Sequence, residues 1–156
     1  MPERSIAIAI IAGAAGGAVA IGLMQFLSAY AEFPLMAVPF ATSIVLVMGT
    51  PEAEPAQPRA LVGGHLVATL VGILMVKLTG PSPWAAAAAV GLAIAAMHAT
   101  RTFHPPAGID PLVVVVNDMS WSFLIAPVAI GAALLAAFAL IWNNLARRGA
   151  WPARWW

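Results

Sequence analysis

The sequence predicts an all-α integral membrane protein with four long transmembrane helices and two short helices that are broken or re-entrant. Hydrophobic residues make up 62% of the 156 residues and charged residues only 8%, whereas soluble domains carry about 25% charged residues. The mean hydropathy is +0.94. We therefore expect a single integral membrane domain over residues 1–156, placed as a multi-pass protein in the inner (cytoplasmic) cell membrane.

Four apolar runs have about the length of a transmembrane helix, roughly 20 residues. They are residues 6–28, 60–79, 84–100 and 121–143. The first run follows Arg4 and resembles a signal peptide, but its length and the runs that follow favour a retained helix.

Two further runs, 35–49 and 106–117, are shorter and begin at or just after prolines. Proline is tolerated in the first turn of a helix, so each run can form a helix whose N-terminus lies inside the protein. When the two short runs are aligned so that Pro39 falls on Pro105, further positions carry the same residue in both.

The order long, short, long occurs twice, which indicates an internal repeat of residues 1–79 and 80–156. Short, proline-interrupted segments at corresponding positions of two halves point to a transport site.

Two topologies stay open. If the short runs are re-entrant, the chain crosses four times, with Arg59 and Arg101 outside and Lys77 inside. If they cross, it crosses six times as inverted repeats, with Arg59 and Arg101 inside and Lys77 outside. The positive-inside rule favours six crossings, while length favours four, because about 14 residues rise only about 21 Å.

Other patterns concern packing and the membrane interface. Gly13 with Gly17, and Gly64 with Ala68 and Gly72, have the small-residue spacing that lets helices approach closely. The C-terminal arginines and tryptophans predict a cytoplasmic interfacial belt. Its members are Arg147, Arg148, Trp151, Arg154, Trp155 and Trp156.

Polar side chains concentrate in residues 49–65 and in residues 101–111, which read Arg-Thr-Phe-His-Pro-Pro-Ala-Gly-Ile-Asp-Pro. A polar cluster at membrane depth is the default functional site. Plainer roles are open as well: Arg101 as a cation at a helix C-terminus, or His104 as a hydrogen bond between helices. Asp110 needs either a partner or protonation, and Arg101 and Arg59 are the candidate partners.

The two short helices suggest how this cluster works. A free helix N-terminus is a ready anion site, and Pro105, Pro106, Ala107 and Gly108 open one such helix. Thr42 and Ser43 add hydroxyls at the start of the other. Arg59 and Arg101 supply positive charge, and His104 donates a hydrogen bond or exchanges a proton near neutral pH. Gly63 and Gly64, beside His65, leave room for a substrate close to the backbone. The pattern predicts a pathway for a small anion.

Composition excludes several alternatives. The chain has no cysteine, so disulfides, thiolate metal sites and cysteine nucleophiles are ruled out. A net charge of +1 without a basic run gives no indication of nucleic acid. No Ser-His-Asp order or carboxylate pair argues for catalysis, and three scattered histidines are a weak metal pattern. We therefore expect no enzyme activity, no cofactor and no metal.

The segment 101–108 resembles the signature of the HPP family of integral membrane proteins, and the segment 50–65 resembles that family's second block. The blocks stand in the family's order and spacing, and the resemblance covers nearly the whole chain. It implies four transmembrane helices and, from cyanobacterial and plastid members, a link to nitrite transport. By the resemblance, the site positions are Gln57, Pro58, Arg59, Gly63, Gly64, His65, Arg101, His104, Pro105, Pro106, Ala107 and Gly108.

After Gly108 the chain departs from the family pattern and reads Ile109-Asp110-Pro111. Asp110 either repels an anion or balances Arg101, and in the second case Asp110 and His104 couple transport to protons. We also expect no gating by an appended regulatory domain.

The leading hypothesis is transport of a small inorganic anion, with nitrite as the best candidate, by a homo-oligomer in the lipid bilayer. One alternative is a non-transporting, partner-binding membrane subunit in which Arg101 and Asp110 form a structural ion pair. The other is a proton-linked cation pathway centred on Asp110 and His104.

Overall fold

The computed structural model describes residues 2–30, 40–146 and 151–155, with side chains from residue 6 onward. Within these ranges the chain forms helices, turns and loops. The helices are α1 (Pro2–Tyr30), α2 (Phe40–Gly49), α3 (Pro58–Thr79), α4 (Pro83–Ala99), α5 (Asp110–Val116) and α6 (Trp121–Ala146). Two 3₁₀ turns, Glu54–Ala56 and Pro105–Ile109, precede α3 and α5.

By length and composition, three of the described helices can cross a membrane: α1, α3 and α6. The predicted fourth long helix, 84–100, forms α4 with 17 residues, so it is shorter than these three, and its crossing of the membrane stays a prediction. It begins at Pro83, where the Ser82 hydroxyl accepts a hydrogen bond from the Ala85 N–H at 3.1 Å. It ends at a turn in which Arg101 has a φ of 55°, a conformation that a continuing helix does not allow.

The second short run extends along the whole of α3. At the N-terminal end of α3, Arg59 Nη2 donates to the Thr100 carbonyl oxygen at 2.9 Å. At its C-terminal end, the Lys77 ammonium lies 4.0 Å from the Asp118 carboxylate. The segment between Thr100 and Asp118 therefore runs from one end of α3 to the other and does not turn back, as a re-entrant segment would.

The first short run forms α2, which begins beside the interior of α3. The Phe40 ring packs against the His65 ring with centroids 4.8 Å apart. From there α2 runs to Gly49, and the loop after it leads to the start of α3 at Pro58. Residues 35–39 of this predicted run lie outside the described residues.

The small-residue ridge on α3 packs against the polar segment, as the spacing predicts. A Cβ atom on Gly64 would lie 2.8 Å from the Thr102 carbonyl oxygen, and one on Gly72 would lie 2.8 Å from the Pro111 Cα. A Cβ atom cannot lie this close to a carbon or oxygen atom to which it is not bonded, so only glycine allows the segment to approach α3 in this way. On α1, Gly16 packs directly on the Trp142 ring and leaves no room for a Cβ atom.

The C-terminal segment 151–155 covers the start of α3. The Gln57 side-chain oxygen accepts a hydrogen bond from the Ala153 N–H at 2.8 Å. Trp151 is only 5% exposed and packs in the core, so its predicted place in an interfacial belt is wrong. Trp155 is 55% exposed. Arg147, Arg148 and Trp156 lie outside the described residues, and the repeat of 1–79 and 80–156 stays a prediction.

Candidate functional site

Four buried side chains form a continuous hydrogen-bonded line, which we call the buried line: His104, Ser43, His65 and Asp110. The Ser43 hydroxyl oxygen lies 2.9 Å from His104 Nε2 and 2.8 Å from His65 Nε2. The other ring nitrogen of His65, Nδ1, lies 2.7 Å from Asp110 Oδ2. None of the four side chains is more than 1% exposed.

Each member of the buried line comes from a different element. Ser43 lies in the first turn of α2, His65 in α3, His104 just before the turn Pro105–Ile109, and Asp110 at the start of α5. Gly64 brings them together, because a Cβ there would lie 2.6 Å from the Cβ of His104.

The predicted partner of Asp110 is wrong. Asp110 lies against His65 and accepts a further hydrogen bond from the Thr69 hydroxyl at 3.3 Å. Arg101 is exposed, and Arg59 donates to the Thr100 carbonyl. The ion pair of Arg101 with Asp110, on which the hypothesis of a structural subunit depends, is therefore absent. Asp110 Oδ1 has no hydrogen-bond partner among the described residues.

A cavity of about 460 Å³ opens at the N-terminal end of α3, and we call it the arginine cavity. Its lining combines three arginines with a single carboxylate. The lining residues are Glu54, Pro55, Gln57, Arg59, Ala60, His98, Arg101, Phe103 and Arg154. The ring of His98 stacks on that of Phe103 with centroids 4.2 Å apart. This arrangement favours anions over cations.

The arginine cavity and the buried line meet at Pro55. His104 Nδ1 donates a hydrogen bond to the Pro55 carbonyl oxygen at 2.7 Å, and Pro55 also lines the cavity. Phe103, which precedes His104 in the chain, is another lining residue. Only one residue thus separates the buried line from the cavity on this side.

The structure divides the predicted site residues into three groups. Arg59 and Arg101 line the arginine cavity together with Gln57. Ser43, His65, His104 and Asp110 form the buried line. Residues outside both the cavity lining and the line are Thr42, Pro58, Gly63, Gly64, Pro105, Pro106, Ala107 and Gly108. Their predicted roles in binding stay predictions.

The positions that side chains on Gly63 and Gly64 would occupy are filled by the protein itself, although Gly63 also lines a second cavity of about 700 Å³. A Cβ on Gly63 would lie 2.5 Å from the Thr102 side chain, and Gly64 packs on Thr102 and His104. These glycines therefore admit the loop 102–104. Thr42 is exposed, while its neighbour Ser43 points inward.

Sequence reasoning missed several residues of the site. No local pattern in the sequence distinguishes Arg154 from an arginine at the membrane interface. Thr69 lies four residues after His65, on the same face of α3, so the spacing could have placed it near the histidine. The statement that no Ser-His-Asp order exists also needs correction, because Ser43, His65 and Asp110 are hydrogen-bonded in that sequence.

Metal binding finds no support in the described part of the chain. It holds no group of three histidine or acidic side chains suited to a metal ion. His98 packs on Phe103, apart from the buried line.

Three described helices are long and apolar enough to cross a bilayer, which indicates a helical integral membrane protein. Residues 2–152 match the family model described as HPP, transmembrane region, so the chain belongs to the HPP transmembrane family. This confirms the resemblance seen in the sequence.

Two relatives are transmembrane proteins of Dictyostelium discoideum. One is 40% identical over 125 residues, which cover 75% of this chain and 40% of the relative. The other is 32% identical over 149 residues, which cover 90% of this chain and 52% of the relative. The chain thus spans about half the length of these relatives or less. No solved structure matches it.

Proposed function

We propose that this chain transports a small inorganic anion, with nitrite as the expected substrate, and that the anion binds in the arginine cavity. The observation that carries the proposal is the convergence of Arg59, Arg101 and Arg154 on one cavity with Glu54 as its single acidic lining residue. A cleft lined by charges of one sign raises the local concentration of the opposite ion.

Guanidinium chemistry narrows the substrate class. The planar fork of N–H groups on arginine matches two oxygens of a planar anion, and such paired hydrogen bonds are stronger than single ones. Nitrite, nitrate and formate present oxygens in this way, whereas chloride does not. We therefore expect small planar oxyanions to be preferred over halide.

We propose that the protein is a homo-oligomer in the cytoplasmic membrane, and that it has no enzyme activity and needs no cofactor.

Nitrite itself is expected from the family link to nitrite transport. The cavity supports the wider class of small oxyanions.

The test is nitrite influx into proteoliposomes that contain the purified protein. Arg101→Gln removes one guanidinium from the cavity and should lower influx about tenfold or more, because a hydrogen bond to a charged group contributes about 1.5–3 kcal/mol. Lys77→Gln is the matched control. It removes one cation at the opposite end of α3 and should leave influx within about twofold of the wild type.

Two results would overturn the proposal. One is equal influx through Arg101→Gln and the wild type. The other is no influx above empty liposomes for nitrite, nitrate, formate or chloride, which would favour a non-transporting, partner-binding membrane subunit.

A further inference from the structure

We propose that the Ser43 hydroxyl is a proton relay between His104 and the pair formed by His65 and Asp110. A proton taken up beside the arginine cavity would pass through Ser43 into the helix bundle. The inference rests on the proposed function, because it names the proton as the ion coupled to the anion.

The contacts form an unbroken path. The three distances from His104 through Ser43 and His65 to Asp110 are 2.9, 2.8 and 2.7 Å, all within hydrogen-bond range. Every member is buried, and among the described residues the side chains form hydrogen bonds with one another, with the Pro55 carbonyl and with the Thr69 hydroxyl. A proton can therefore move by short steps without a mobile carrier.

The Pro55 carbonyl sets the order of donors at one end. It can only accept, so His104 Nδ1 carries a proton. With a neutral His104, Nε2 accepts from the Ser43 hydroxyl, and the Ser43 oxygen accepts from His65 Nε2–H. One further proton then lies between His65 Nδ1 and Asp110 Oδ2. In this state the excess proton belongs to the pair of His65 and Asp110.

A second state uses the same number of protons. His104 is now protonated on both nitrogens and donates from Nε2 to the Ser43 oxygen. The Ser43 hydroxyl donates to His65 Nε2, and His65 Nδ1–H donates to the Asp110 carboxylate. Two transfers connect the states: His104 Nε2 gives its proton to the Ser43 oxygen, and Ser43 gives its own proton to His65 Nε2. Positive charge moves from His104 to His65, and Ser43 ends as a hydroxyl again.

The geometry requires this excess proton. Without it, both histidines are neutral, each carries its proton on Nδ1, and the single hydrogen of Ser43 faces two accepting nitrogens. One of the two Ser43 contacts would then be lost. With the excess proton present, the buried line has no net charge. A buried site favours this state over one in which the carboxylate has no compensating positive charge.

The charge of the arginine cavity gives a reason why anion binding and the protonation of His104 are coupled. The charged or titratable residues of its lining are Glu54, Arg59, His98, Arg101 and Arg154. Their excess positive charge opposes a cationic His104, and a bound anion offsets that charge. Anion binding thus favours the proton on His104, and anion release favours its transfer to His65.

A different interpretation of the same residues is a hydrolase, because Ser43, His65 and Asp110 have the contacts of a catalytic triad. A nucleophilic serine must be reached by a substrate carbonyl. Ser43 has no exposed surface, lies outside the lining of the arginine cavity, and has His104 as a second neighbour. The relay explains both of its contacts.

The test follows the ring nitrogens of the three histidines by NMR in nanodiscs that hold ¹⁵N-histidine-labelled protein. In the wild type, His65 and His104 should change protonation together over one pH interval, and the signals of His98, which packs on Phe103 apart from the buried line, serve as an internal reference. Ser43→Ala should separate His65 from His104. Thr102→Val, which removes a buried hydroxyl outside the line, should leave them coupled.

The second measurement is nitrite-driven proton influx into proteoliposomes, with the influx of empty liposomes subtracted. Ser43→Ala should lower it about 100-fold or more, a typical contribution of a positioned proton-transfer group. If Ser43→Ala does not fold, Ser43→Cys keeps the volume and supplies only a weak donor. Its proton influx should also fall.

The outcomes separate the two proposals. Histidines that stay coupled in Ser43→Ala overturn the relay, whatever the anion flux. Covalent labelling of Ser43 by a fluorophosphonate probe also overturns it, in favour of a hydrolase. If the joint protonation change of His65 and His104 depends on Ser43 but the protein transports none of the anions, the relay is supported and anion transport is overturned.

Discussion

At the scale of single residues, His65 lies at the centre of the buried line. Both of its ring nitrogens face polar partners, Ser43 and Asp110, and its side chain has no exposed surface. A buried polar group left without its partner costs about 1–3 kcal/mol. The stability of the buried line therefore depends on each partner of His65 being present.

Replacement of Asp110 tests this dependence. Asp110→Ala removes the acceptor for His65 Nδ1–H and should lower the free energy of unfolding by about 1–3 kcal/mol. Asp110→Asn keeps an acceptor oxygen and should cost less. Asp118→Asn changes a carboxylate that is 61% exposed and keeps a residue type that tolerates the positive φ of 47° at this position. It should therefore stay within about 0.5 kcal/mol of the wild type. Thermal unfolding in detergent, followed by circular dichroism, measures all three variants, and equal losses for Asp110→Ala and Asp118→Asn would contradict the argument.

At the scale of helices, α3 organises the molecule through two neighbouring stripes. The stripe of Gly64, Ala68 and Gly72 receives the segment 102–114, and the stripe of His65 and Thr69 supplies polar contacts. The small-residue spacing could be predicted from the sequence because it is local to one helix. The segment that packs on it could not, because nothing within α3 specifies which part of the chain lies opposite.

Gly64→Ala tests the close approach. The added Cβ would lie 2.6 Å from the Cβ of His104 and 2.8 Å from a backbone oxygen, so the loop 102–104 must shift and His104 must lose its alignment with Ser43. Overpacking of this kind costs about 1–3 kcal/mol. In Gly91→Ala nothing lies within 4 Å of the new Cβ, so the change should be neutral or stabilise α4 by up to about 1 kcal/mol. Unfolding midpoints that fall equally in both variants would show that packing at Gly64 is not the cause.

At the scale of the whole molecule, the class of protein, the six apolar runs and the polar segment were accessible from the sequence, because hydropathy and proline positions are local signals. The buried line was not, because its contacts join residues 22, 45 and 61 positions apart. Arg59 and Arg101 were predicted and do share a cavity. Arg154 was not predicted there, because its place depends on the hydrogen bonds that the Ala153 and Arg154 N–H groups donate to the side chain of the distant Gln57. The fourth apolar run was placed within one residue of its helix, because the predicted run 84–100 corresponds to α4 at Pro83–Ala99.

The distribution of charge predicts how the molecule lies in the membrane. Arg59, Arg101 and Arg154 gather at the N-terminal end of α3, and Lys77 lies at the other end. By the positive-inside rule the arginine end faces the cytoplasm. The loop that holds Glu52 then lies inside and Asp118 outside, as six crossings require.

Cysteine labelling in intact cells tests this orientation, and the chain contains no cysteine that would interfere. Both Glu52 and Asp118 are exposed, so a cysteine at either position can react. An impermeant maleimide should label Asp118→Cys directly and Glu52→Cys only after the cells are permeabilised, while the cysteine-free parent gives the background. Labelling of Glu52→Cys from outside in intact cells would mean that α2 does not cross the membrane and that the start of α3 faces outward. The arginine cavity would then take up its anion from the external face.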